Sequence, residues 1–145
     1  MKSQIKILLI IAALFVACTN TKTEKAEEVK PSENLEGMWA LKSGKWANDD
    51  GTFLVYPGDS LLDGSSAFII YSKSHFNVVA VAPKMNYFRS EHVKYTMGEG
   101  KFKANIVLSN IEGSTGKESD YTYEIVGNTA TFKIGEDVEV WEKVE

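Results

Sequence analysis

YTYEIVGNTATFKIGEDVEVWEKV, residues 121–144, decides the fold class. Two alternating runs, Tyr121 to Val126 and Thr129 to Ile134, flank Gly127-Asn128. Gly and Asn tolerate the positive φ that a two-residue hairpin turn demands, so this pair joins two antiparallel strands. Gly135-Glu136 repeats the device before Val138 to Val144. Along Thr129 to Ile134, Ala130, Phe132 and Ile134 share one face, while Thr129, Thr131 and Lys133 share the other. A period of two with one apolar and one polar face describes a strand half in water, which antiparallel sheets permit.

The same pattern extends backwards to Leu35. Short period-two runs at Met38 to Lys45, Phe53 to Tyr56, Ala67 to Tyr71, Phe76 to Ala82, His92 to Met97 and Phe102 to Leu108 are separated by Gly, Asp, Asn and Ser. Phe102, Ala104, Ile106 and Leu108 share one face of the last of these, with Lys103 and Asn105 on the other. No sustained 3.6-residue apolar pattern competes with them. Eight or nine strands at hairpin spacing predict an all-β domain, either a sandwich or a closed up-and-down barrel. Closure would remove the exposed edges that invite aggregation.

Ahead of the strands lies a segment of another kind. Lys2 and Lys6 precede an apolar run from Ile7 to Ala17, and Cys18, the only cysteine, follows at once. Positive charge, a short apolar stretch and a small residue at its end predict a secretory signal over residues 1–17. Eleven residues at about 1.5 Å each cannot span a hydrocarbon core about 30 Å thick. Phe15-Val16-Ala17-Cys18 resembles a lipobox, with Ala17 as the small residue before the cysteine and Phe15 where Leu is usual. That resemblance implies lipidation of Cys18 and stable anchoring by two or more acyl chains. An ordinary signal peptide, cut elsewhere, is the alternative. Thr19, where an Asp would favour inner-membrane retention in Gram-negative envelopes, leans toward the outer membrane.

Residues 18–34 carry almost nothing apolar and read as a disordered tether, since they cannot bury enough surface to offset the entropy of ordering. The tether reaches about 55 Å fully extended and about 20–25 Å as a coil. The remaining 111 residues, 35–145, make one small domain. Without Lys2 and Lys6, 14 cations face 20 acids, a formal charge of −6. An acidic domain with no basic cluster argues against nucleic acid as a partner.

Leu35-Glu36-Gly37-Met38-Trp39 carries a Gly-x-Trp at the start of the first strand, similar to the lipocalin signature. Val140-Trp141-Glu142-Lys143-Val144 resembles the closing strand of small bacterial lipocalin-like domains, and Tyr71-Ser72-Lys73-Ser74-His75-Phe76 resembles a turn and strand within them. Ser119-Asp120-Tyr121 is similar to a second lipocalin motif, with Ser in place of Thr. The resemblance implies an antiparallel up-and-down barrel of about eight strands, with Trp39 closing its floor and Lys143 over the indole ring. It also implies a small hydrophobic or amphipathic ligand inside. A plain core aromatic is the alternative for Trp39.

No catalytic constellation, phosphate-cradling loop or metal-ligand spacing is legible, so neither enzyme activity nor a cofactor is expected. His75 and His92 stand apart in sequence. The aromatic residues of the later strands offer apolar walls with polar tips. Alternation selects Tyr95, Phe102, Ile106, Tyr123 and Phe132 as the lining. Two functions compete: a membrane-anchored lipoprotein that binds a small ligand in the cell envelope, and a filled barrel that binds an envelope protein through its surface. A residual enzyme reading would use Tyr95, His75 or His92.

The lipidation site is tested by metabolic labelling. The wild-type chain takes up labelled palmitate and Cys18→Ser takes up none. Label on the variant, or none on the wild type, removes the lipoprotein reading.

Overall fold

The structure, a computed structural model, describes residues 34–144. The signal, Cys18 and the tether up to residue 33 lie outside the described residues. Among the described residues there are nine strands: β1 (Gly37–Ala47), β2 (Phe53–Tyr56), β3 (Ser66–Tyr71), β4 (His75–Ala82), β5 (Tyr87–Gly98), β6 (Lys101–Ser109), β7 (Glu118–Val126), β8 (Thr129–Ile134) and β9 (Asp137–Lys143). Each coincides with one of the alternating runs. The largest difference is β5, which starts at Tyr87 rather than His92. The alternation continues through Arg89 and Glu91, whose charges disguise it.

All pairings are antiparallel and run β1-β3-β4-β5-β6-β7-β8-β9, with β9 returning to β1. Eight strands thus close into an up-and-down barrel, and the sandwich alternative is set aside. The circuit includes no edge strand. β2 lies outside it. On the edge of β1 away from β9, β3 takes Gly37 to Ala40 and β2 takes Gly44 to Ala47. Every strand of the circuit finds both neighbours within residues 37–143. The barrel is therefore a self-sufficient folding unit.

The two ends differ. At the floor lie the turns between β3 and β4, β5 and β6, and β7 and β8, together with both chain ends of the described span. At the mouth lie the β1–β2 turn, a loop carrying a 3₁₀ turn at Ser60–Leu62, the Pro83–Met85 turn, the β6–β7 loop and the Gly135-Glu136 turn. The floor half is filled. Leu35, Trp39, Val93 and Ile125 are each only 1% exposed. The Trp39 indole N–H donates to the Leu35 carbonyl at 2.7 Å. The Lys143 ammonium lies 5.6 Å from the Trp39 ring centroid, within cation–π range. Tyr95 donates from its hydroxyl to the Ser72 carbonyl, tying β5 to the β3–β4 turn. Above them Tyr71, Phe76, Phe102 and Phe132 pack edge-on and stacked, with centroids 4.9–6.4 Å apart.

Two bulges break the alternation. In β1 the register shifts between Leu41 and Ser43, opposite Trp141 and Val140. Trp39 and Leu41 point inward; past the bulge, Gly44 and Trp46 do, and Lys45 lies outside over the Phe53 ring. In β6, His92 pairs with Leu108 while Val93 pairs with Ile106, leaving Val107 unpaired. Leu108, expected on the core face, is therefore turned out and 65% exposed. A single extra residue reverses the face of everything beyond it.

Trp39 carries the floor and Lys143 only covers it. Trp39→Ala should cost about 3–5 kcal/mol in urea unfolding, and Lys143→Ala under about 1 kcal/mol. Equal costs would contradict this division.

Candidate ligand cavity

The mouth half is hollow. A cavity of about 340 Å³ opens between β1, β2, β3, β4, β5 and β9. Its bottom is the aromatic layer of Phe76, Phe102 and Phe132. One wall is apolar and small: Ala67 and Ile69 from β3, and Val78, Ala80 and Ala82 from β4. Small side chains on adjacent strands leave space that larger ones would close. Leu62, Met85 and Tyr87 stand at the rim. The two 3₁₀ turns there are joined by an exposed Lys84–Asp63 ion pair at 2.8 Å. Ser65 Oγ, on the lining, is buried without a hydrogen-bond partner among the described residues.

The facing wall is polar, and Glu139 organises it. Glu139 pairs across the strands with Gly44 of β1. A Cβ built at Gly44 would fall 2.2 Å from the Trp46 ring, so the ring lies where a side chain would otherwise stand. From that position Trp46 Nε1–H donates to Glu139 Oε1 at 2.9 Å. Trp141 Nε1–H, two residues along β9, donates to Glu139 Oε2 at 3.1 Å. The bulge in β1, the glycine and two tryptophans together hold one carboxylate inside the barrel.

Arg89 also lines the cavity and donates from Nη2 to Glu91 Oε2 at 2.6 Å. The Glu91 side chain is 2% exposed, and Ser109 Oγ donates to its other oxygen at 2.9 Å. Ser109 reaches inward because of the β6 bulge. Burial alone would pull the Arg89 guanidinium down, but the hydrogen bond and charge of Glu91 raise it above its ordinary value, with Tyr87 and Glu139 adding. Two phenols complete the wall. Burial pushes the Tyr71 hydroxyl well above the usual tyrosine value, and the charge of Glu139 adds to it. Burial raises Tyr121 too, again with Glu139 adding, while Arg89 and a hydrogen bond with Ser119 act the other way.

Of the five residues selected by alternation, Phe102 and Phe132 border the cavity. Tyr95 lies in the floor, Ile106 packs against the core, and Tyr123 donates to the Gly98 carbonyl at 3.3 Å near the floor turn. All five point inward, but three sit below or beside the hollow. Trp39 and Lys143 are likewise in the floor. Trp46, Arg89, Glu91, Glu139 and Trp141 were not selected. Parity alone would have found four of them: Tyr95, Val93, Glu91 and Arg89 share one face of β5, and Trp141 and Glu139 share one of β9.

His75 and His92 are brought together on the outer wall, their rings stacked with centroids 5.1 Å apart. Nearly parallel stacked rings aim their in-plane nitrogens past each other rather than at a shared ion. Among the described residues no group of three or more His, Cys, Asp or Glu is placed to hold a metal.

Comparison with known structures agrees with this architecture. A lipocalin-like protein from Bacteroides uniformis superposes with a TM-score of 0.52 at 16% identity, covering 75% of this chain and 97% of that one. An uncharacterized protein from Bacteroides eggerthii superposes with a TM-score of 0.51 at 14% identity, covering 76% of this chain and 99% of that one. No protein-family model matches the sequence, and no curated protein is significantly similar to it. The domain has a lipocalin-like fold: a closed eight-stranded antiparallel barrel, filled at the floor and hollow at the mouth.

The Arg89–Glu91 pair gives this wall its test. Arg89→Met leaves a buried carboxylate without its cation and should cost about 3 kcal/mol in urea unfolding. Adding Glu91→Leu should restore most of that loss. A double variant as unstable as the single one would show that the pair is not what the wall depends on.

Proposed function

We propose that this protein is a membrane-anchored, lipocalin-like binding protein of the cell envelope that holds a small hydrophobic or amphipathic molecule in its barrel. The observation that carries the reading is the cavity. Its volume of about 340 Å³ falls in the range of small-molecule sites, and its apolar walls with one cluster of polar groups match their usual make-up. A barrel serving only as a rigid support would gain from filling that space, because cavities forfeit packing energy.

The anchor fits the same picture. The described chain enters at the floor, at Asn34, opposite the mouth. A tether running from a lipidated Cys18 would hold the barrel by its floor and leave the mouth open away from the bilayer. Thr19 favours the outer membrane as the site of attachment. The protein's role is capture and release rather than catalysis.

A second reading has one observation in its favour. Phe68, Ile70, Val79 and Phe88 are 43–53% exposed on the outer wall across β3, β4 and β5. Exposed apolar groups on neighbouring strands suit docking against an envelope protein.

The two readings separate on Ala67→Phe, which places a ring in the cavity and leaves the outer wall unchanged. Residues 19–145 should enhance the emission of N-phenyl-1-naphthylamine, an apolar dye, and Ala67→Phe should abolish the enhancement. Wild-type protein that leaves the dye dark, or a variant that binds as well as wild type, overturns the cavity reading.

A further inference from the structure

The geometry points to Glu139 as the group that recognises the ligand, and to a small molecule bearing an ammonium or amidinium head on a flat apolar body as what it recognises. This rests on the cavity being a binding site and names the chemistry it selects.

A carboxylate inside a barrel is costly unless its charge is met. Glu139 is met only in part. Its two oxygens each accept one indole N–H, from Trp46 and Trp141. A carboxylate offers about four acceptor positions, so about two remain for a donor arriving from the cavity. Indole N–H groups are neutral. They fix the position of the carboxylate and leave its charge in place.

The cation nearest at hand is already committed. Arg89 is bound to Glu91 at 2.6 Å, and Glu91 is sealed from solvent with Ser109 on its other oxygen. That pair sums to zero. The charged groups of this wall, Arg89, Glu91 and Glu139, therefore sum to one uncompensated negative charge. An anionic ligand would meet the Glu139 carboxylate and find a guanidinium whose charge is already balanced. A cationic ligand would find the opposite.

The surrounding side chains agree. Trp46, Trp141, Tyr71 and Tyr121 line the cavity close to Glu139. Aromatic faces attract cations, most strongly where water is excluded. Tyr71, on the same lining, adds a neutral hydroxyl near Glu139. Below this layer Phe76, Phe102 and Phe132 form an apolar bottom that suits a flat hydrocarbon body. Head and body thus have separate places, with the head fixed by β9 and β1.

Three probes with one ring and different heads test this: 1-naphthylmethylamine, 1-naphthalenemethanol and 1-naphthoate, titrated by calorimetry at pH 7 into residues 19–145. The ammonium should bind roughly tenfold tighter than the alcohol, and the carboxylate weakest. In Glu139→Gln the ammonium and the alcohol should fall within about twofold of each other. If the alcohol binds to wild type but the ammonium has no advantage, or if Glu139→Gln keeps the full advantage, the assignment to Glu139 is overturned and the cavity reading stands. If none of the three binds, the cavity reading falls and this inference with it. The wild-type ranking decides the matter even where the variant does not fold.

Discussion

The pairing of β1 with β9 is the constraint on which everything else depends. It joins Trp39–Lys45 to Val138–Lys143, residues about a hundred positions apart, and turns an open meander into a barrel with an inside. The same pairing places Trp39 beside Lys143 at the floor and Gly44 beside Glu139 above it. One ladder thus sets both the plug and the polar wall. Contacts so distant in sequence form only once the intervening hairpins have shortened the loop to be closed. The strong local turns at Gly127-Asn128 and Gly135-Glu136 bring β7, β8 and β9 together first in that picture.

The division of the barrel into a filled half and a hollow half follows from side-chain size along continuous strands. On β3 and β4 the inward positions run from Tyr71 and Phe76 at the floor to Ala67, Ala80 and Ala82 at the mouth. On β1 they run from Trp39 through Leu41 to Gly44. The taper is toward small residues in every case, so the space above the aromatic layer is built by sequence. Large side chains do return at the mouth, but as Trp46, Tyr87 and Arg89, which lie around the space.

The fold class was legible because period two and turn chemistry are local. Thr129 to Ile134 declares its two faces without help from any other strand. The floor was legible for a second reason, since the Gly-x-Trp around Trp39 and the closing Trp141-Glu142-Lys143 resemble a known barrel. The cavity wall was not, and the cause is specific. Charge on Arg89 and Glu91 conceals an inward face that runs on from Tyr95 and Val93. The bulges in β1 and β6 exchange Lys45 for Trp46 and Leu108 for Ser109 on that face. A bulge is specified by pairing with the opposite strand, which a single run of sequence does not display. Tyr95, Ile106 and Tyr123 were selected with correct orientation and without height, because alternation reports the face and not the distance from the floor.

The polar wall is a poor way to stabilise a barrel. An ion pair held out of water rarely exceeds a well-packed apolar substitute in stability, and a further carboxylate beside it adds to the cost. The floor shows that this chain can fill a barrel with aromatic and aliphatic side chains when packing is what the position requires. At the mouth, the same strands carry Arg89, Glu91 and Glu139 together with the residues that position them: Ser109, Trp46, Trp141 and Gly44. Each of these has a geometric task, and the two bulges set the facing of three of them, Gly44, Trp46 and Ser109. An arrangement that is costly to fold and closely positioned makes physical sense where its unsatisfied part is directed at something other than the protein. In this barrel the unsatisfied part is the Glu139 carboxylate, which faces the cavity.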